Sequence, residues 1–224
     1  MTGVQTCALP ILNFKKPLVT WVLLASLAPI LGGCFGVAVV GMGAGALMIS
    51  DRRPSDSYVA DEAIELRSSN RINEKFGDRV HVNATSYNRT VLLTGEVPDA
   101  ATRAAVEKLI NGVPNVKAVA NELQISGISS LTARSSDAYL TSKVKARFVD
   151  MAKFSANHVK VISESGTVFL LGLVSQGESD AASDIARTTG GVLKVVRMFE
   201  VVSDDEVRRL DNRPPNAAKK PATP

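Results

Sequence analysis

The chain reads as an α+β protein of two tandem αββαβ modules, each a three-stranded mixed sheet packed on two helices. Three observations predict this. The sequence matches itself at a shift of 77 residues, each copy holds two runs of alternating or continuous apolar residues, and each holds two segments with helical spacing. The shift lays His81-Val82 on His158-Val159, Ser86 on Ser163, Thr90 on Thr167 and Val91 on Val168. It continues through Leu93 on Leu170, Gly95 on Gly172, Val97 on Val174, Ala104-Ala105 on Ala181-Ala182 and Lys117 on Lys194.

In the first copy, residues 58–76 place Ile64 and Ile72 at helical spacing, with Leu66 beside them. Val80, Val82 and Ala84 then alternate with polar residues, as a half-buried strand requires. Tyr87-Asn88 turns the chain, and Val91, Leu93, Gly95 and Val97 form the returning strand. Pro98-Asp99 stops that strand and caps a helix over 100–110. Gly112 and Pro114 end it, and 116–125 supplies the third strand. The second copy repeats the order: Ser136-Asp137 as cap, a helix over 139–151, and a strand at Val159 and Val161. Ser165-Gly166 turns, 168–174 returns, a helix spans 178–188, Gly190-Gly191 breaks it, and 192–202 closes the sheet. Units of roughly 65 residues bury a small share of their surface, so mutual docking is expected.

The N-terminal region is of a different kind. Lys15-Lys16 precedes an uncharged apolar run over 18–31 that closes Leu31-Gly32-Gly33-Cys34, the parts of a signal peptide. A Leu and two small residues before a cysteine resemble the lipobox of bacterial lipoproteins. That resemblance implies diacylglycerol on the Cys34 thiol and an N-acyl chain on its amine, with Cys34 as first residue after cleavage of 1–33. Phe35 stands where the inner-membrane retention signal of that class places Asp, which implies the outer membrane. A spanning helix is the alternative, since no charge falls between 18 and 49. Pro29, Gly32, Gly33, Gly36, Gly41, Gly43 and Gly45 would weaken it, and 34–57 reads as a tether. Residues 1–12 resemble translated adapter sequence and are set aside, leaving Cys34 without a disulfide partner.

The expected organisation is therefore leader, tether, a module over 58–126, a linker over 127–136, a module over 137–203, and an extension and disordered tail over 204–224. The formal net charge of +4 suits an anionic surface, and aromatics at 5% leave the core to Val, Leu, Ile and Ala.

The strings Val91-Leu92-Leu93-Thr94-Gly95 and Val168-Phe169-Leu170-Leu171-Gly172, with Gly112-Val113 and Gly191-Val192, resemble the BON domain of bacterial envelope proteins. Lipobox, tether and two such modules together resemble the dual-BON outer-membrane lipoproteins. The resemblance implies a non-enzymatic protein without cofactor that maintains envelope integrity and binds anionic phospholipid through its second module. It also implies association with barrel-assembly, cell-division or peptidoglycan-remodelling proteins and enrichment at the division site. A protein-interaction module without lipid recognition is the other reading.

The leading helices differ in charge. The first balances Asp61, Glu62, Glu65 and Glu74 against Arg67, Arg71 and Lys75, whereas the second sets Lys143, Lys145, Arg147 and Lys153 against Asp137 and Asp150. Leu140, Val144, Phe148 and Met151 share one stripe that should face the sheet. Tyr139, Ala146 and Val149 lie away from it, among Lys143, Lys145 and Lys153, as an interfacial surface requires. The resemblance places the lipid contact on this helix, with Trp where this chain has Tyr139.

His81 and His158 occupy equivalent strand positions with no Cys or carboxylate at ligand spacing, so they read as structural and no metal is expected. Gly95 and Gly172 read as structural glycines that admit a bend or a close approach. No nucleophile elbow or phosphate loop is present in the sequence, and export argues against nucleic acid.

Overall fold

Each sheet is built around a middle strand that is buried on both faces. The computed structural model describes residues 52–212, so Cys34, the leader, most of the tether and residues 213–224 lie outside the described residues. The first module comprises α1 (Ser55–Phe76), β1 (His81–Tyr87), β2 (Thr90–Val97), α2 (Ala100–Asn111), β3 (Ala118–Asn121) and β4 (Gln124–Ile125). The second comprises α3 (Leu131–Met151), β5 (Val159–Glu164), β6 (Thr167–Val174), α4 (Gln176–Arg187) and β7 (Lys194–Val201), followed by α5 (Asp204–Asp211). In both, the middle strand pairs antiparallel with the strand before it and parallel with the strand after the helix. The sheets are mixed, as the sequence implies.

The hairpins close through two-residue turns with positive φ at both positions, Asn88-Arg89 and Ser165-Gly166. Such turns match the twist of antiparallel strands. In each module a leading-helix aspartate holds the turn. Asp61 accepts from Asn88 N at 2.8 Å, Arg89 N at 2.7 Å and Ser86 Oγ at 2.6 Å. Asp137 accepts from Ser165 N at 3.0 Å and Gly166 N at 3.1 Å.

Asp137 is therefore not a helix cap. The helix starts at Leu131, inside the expected linker, because Ser130 Oγ accepts from Ala133 N and the following residues tolerate helix. The third strand of the first module is also interrupted. Glu122-Leu123 splits it into β3 and β4, and Leu123 turns into the core beneath the helices.

Alternation along the middle strands assigns each side chain to a layer. Val91, Leu93 and Val97 face the first module's helices, and Val168, Leu170 and Val174 face the second's. Leu92, Phe169, Leu171 and Leu173 point the other way and pack with Tyr87 in a third core between the modules. A strand buried on both faces reads as a continuous apolar run, which explains Val168 to Leu171. The Tyr87 hydroxyl accepts from Leu173 N at 3.0 Å within this seam. Lys160 Nζ meets Glu65 Oε1 at 2.9 Å, and Asn88 Nδ2 donates to Glu200 Oε2 at 2.6 Å.

Two segments expected to be loose belong to this seam. The start of the extension is the helix α5, capped by Ser203, and its Leu210 enters the inter-module core. Arg52, expected in the tether, is only 5% exposed. Its guanidinium pairs with both oxygens of Glu178, at 2.6 and 2.8 Å, and both of Asp211, at 2.7 and 2.9 Å. It also donates to the Leu173 carbonyl at 3.1 Å. Burial disfavours the Arg52 charge, but the bonds to Glu178 and Asp211 outweigh it and hold the guanidinium protonated. Burial likewise pushes Glu178 up, and the bonds from Arg52 and the Ser175 N–H reverse the sign, leaving its pKa below the usual range. At Asp211 the Arg52 bond is the leading cause of a lowered pKa, opposed by burial.

Candidate functional site

The second leading helix is fixed from three sides, which determines what it presents outward. Leu140, Val144 and Phe148 are buried against the sheet, Phe148 meeting Phe154 edge-to-face at 5.0 Å between ring centroids. Arg147 donates to Ile185 O at 2.9 Å, Thr188 Oγ1 at 3.1 Å and Thr189 Oγ1 at 2.8 Å, tying α3 to the end of α4. Asp137 holds the hairpin turn. Met151 departs from the expected stripe. At 48% exposed it stands at the last helical position, where Ala152 turns left-handed at φ 47° and carries the chain away.

The face opposite the core carries the residues singled out from sequence. Tyr139 is 69% exposed and Val149 65% exposed, and Lys145, Ala146 and Lys153 are exposed with them. Val149 is therefore not covered by the first module. Lys143 is half-buried at the rim, where its ammonium donates to Gly190 O at 2.9 Å. That bond engages one of its three donors.

Two further residues shape this surface, and one of them, Leu193, was missed from sequence. Asp150 is exposed on the same side and dilutes the positive field between Val149 and Lys153. Leu193 is 84% exposed, at the tip of the loop whose Gly190 receives Lys143. Its amide bonds the Gly166 carbonyl at 2.9 Å, so it stands beside the turn that Asp137 holds. The available signal was a large apolar residue two positions after Gly191, at the edge of the segment read as the closing strand.

Gly95 and Gly172 lie in β2 and β6 and take no part in this surface. At Gly95, φ is +110° and an added Cβ would fall 2.0 Å from the His81 carbonyl oxygen. At Gly172 it would fall 2.5 Å from the His158 carbonyl oxygen. Both close approaches are within one module, to the first residue of β1 at Gly95 and to the residue just before β5 at Gly172. His158 faces the Arg52 cluster, 3.9 Å from Glu178 and 3.8 Å from Asp211, and His81 bonds Glu96 at 2.9 Å.

The repeat also has a counterpart among known families. The model of the BON domain matches twice, over residues 60–127 and 136–203. The chain belongs to the BON-domain family. It is 36% identical over 187 residues to the outer membrane lipoprotein DolP of Haemophilus influenzae, covering 83% of this chain and 97% of that protein. It is 30% identical to the 21 kDa hemolysin of Actinobacillus pleuropneumoniae, over 68% of this chain and 79% of that protein. The osmotically-inducible protein Y of Escherichia coli is 31% identical over 51% of this chain and 58% of its own length. Near-complete coverage of the first of these makes the chain a dual BON-domain protein of the outer-membrane lipoprotein class.

Proposed function

We propose that this BON-domain lipoprotein maintains the outer membrane from its periplasmic face, binding anionic phospholipid through α3 and acting without enzymatic chemistry. The observation that carries the reading is an exposed Tyr139 and Val149, with Ala146 between them and Lys143, Lys145 and Lys153 around them. Apolar side chains that fold inward elsewhere are held outward here by a helix fastened on its other faces. Each basic residue near an anionic surface contributes about 1 kcal/mol, and the apolar side chains add shallow insertion. Leu193 extends the same contact.

Such a site is weak alone. An acyl anchor on Cys34 makes the binding intramolecular and raises the effective lipid concentration. Arg52 lies eighteen positions after Cys34, a reach of at most roughly 65 Å. In this reading the Arg52 cluster is where the tether meets the folded body. Barrel-assembly, cell-division or peptidoglycan-remodelling proteins are its protein partners at the division site.

The test is sedimentation of residues 45–224 with phosphatidylglycerol vesicles. Tyr139→Glu with Val149→Glu should lower the bound fraction at least tenfold while leaving the melting temperature in place. Binding equal to the parent would reject the surface. Loss of vesicle binding with envelope function intact would instead favour the protein-interaction reading.

A further inference from the structure

The folded chain brings together one histidine and two glutamates that the sequence holds far apart. His81 opens β1, and Glu96 is its cross-strand partner on β2, so the two side chains share a face of the first sheet. Glu164 ends β5 in the second module. The ligand atoms of His81, Glu96 and Glu164 all lie within 4.8 Å of one another.

Both carboxylates are buried, Glu96 at 2% exposed and Glu164 at 6%. Burying a charge this far is costly unless it is paired. Glu96 Oε2 accepts from Ser129 N at 3.2 Å and meets His81 Nδ1 at 2.9 Å. Glu164 has a single hydrogen bond among the described residues, from Asn83 Nδ2, at a long 3.4 Å. Among the described residues the second oxygen of each glutamate accepts nothing, and neither forms an ion pair with Lys or Arg. Arg134, which lines the adjoining cleft, bonds Ser129 Oγ instead.

We propose that His81, Glu96 and Glu164 bind a divalent transition-metal ion, zinc being the best fit, that clips the two modules together. One imidazole and two carboxylates with a fourth position open form a donor set suited to zinc, whereas calcium takes six to eight oxygens. Tetrahedral ligands about 2.0–2.1 Å from zinc stand roughly 3.3 Å apart. The His81–Glu96 pair is already near that spacing, and the widest pair closes by about 1.5 Å. A cleft of about 450 Å³, lined by His81, Asn83, Arg134, Asp137 and Glu164 among others, gives the ion a path from solvent. The ion supplies the positive charge that the two glutamates lack. Its ligands come from both modules, so it stabilises their docking.

The chain has only two histidines, which gives a direct readout. Full-length protein in detergent, stripped with EDTA, is titrated with zinc chloride while both imidazoles are followed by NMR. The expected result is one equivalent bound, a shift confined to the His81 ring, and a higher melting temperature that EDTA reverses. Cobalt chloride should give d–d absorption without a thiolate charge-transfer band. Glu164→Gln removes one ligand and one buried charge, so it should fold and lose zinc affinity at least tenfold. His158→Ala should bind as the parent does. A shift confined to His158, no uptake at micromolar zinc, or undiminished affinity in Glu164→Gln would each overturn the site.

Discussion

The two leading helices differ most on the face turned away from the core. At an offset of 76 positions Asp61 matches Asp137, Ile64 matches Leu140, Arg71 matches Arg147 and Ile72 matches Phe148. Each pair does the same work: both aspartates hold a hairpin turn, the apolar residues fill the core, and both arginines bond the end of the module's second helix. On the outward face Ala63, Ser69, Asn70 and Asn73 stand where the second module has Tyr139, Lys145, Ala146 and Val149. Folding constrains the inner positions of both copies alike. The outward positions carry no such constraint. The first helix also exposes Val59 and Leu66, but among balanced charges, so the lysines around Tyr139 and Val149 on the second copy point to a binding task rather than a packing one.

The largest expected break in this equivalence is at the strand glycines. Both lie against a histidine carbonyl, but Gly95 alone has φ in the left-handed region, and its clearance is the smaller. Gly95→Ala meets backbone on one side and conformational strain on the other, and should cost on the order of 4 kcal/mol or prevent folding. Gly172→Ala should cost about 2 kcal/mol, since a modest strand shift relieves it. Urea denaturation of the two variants gives the order directly, and the reverse order would mean that the second hairpin is the less tolerant.

The turn-holding aspartates come next. Asp61 is buried, accepts three bonds from the hairpin and pairs with Arg53 at 2.8 Å. Asp137 is half-buried and accepts two. Asp61→Ala leaves two turn amides and one hydroxyl without their acceptor and removes the ion pair with Arg53, a loss of about 3 kcal/mol. Asp137→Ala should cost about 1 kcal/mol, because water reaches its turn. Equal losses in thermal denaturation would show that burial does not set the difference.

What the sequence made legible follows from the range of each interaction. Strands, hairpins and second helices are specified by alternation, turn residues and caps within a few positions, and they lie where the repeat implies. The start of α3 was hidden because Ser130 sits in a polar string whose composition resembles a linker. The Arg52 cluster was invisible, since Glu178 and Asp211 are 126 and 159 residues away. Leu210 reads as a lone apolar residue in a charged helix until the seam it fills is known. His81 gave no metal signal because Glu96 reaches it across a hairpin and Glu164 across the module boundary. The outward face of α3 was legible in its charge and spacing, but Leu193 joins it only through the fold of the Gly190 loop.

The smallest expected effect is a gain, and it tests whether inner positions are interchangeable. At the same offset Ser68 matches Val144, and both are fully buried. The Ser68 hydroxyl has no hydrogen-bond partner among the described residues, so its desolvation is uncompensated. Val144 fills the equivalent place with methyl groups. Ser68→Val removes the orphaned hydroxyl and adds apolar burial, against a few tenths of a kcal/mol for a β-branched residue in a helix. The balance is a stabilisation of about 1 kcal/mol, or roughly 2–4 °C in melting temperature for a domain pair of this size. The converse, Val144→Ser, should destabilise by about 2 kcal/mol through a cavity and an orphaned hydroxyl together. A loss in Ser68→Val would show that the first core has closed around the smaller side chain, so that the copies share a chain path but no longer share a packing solution.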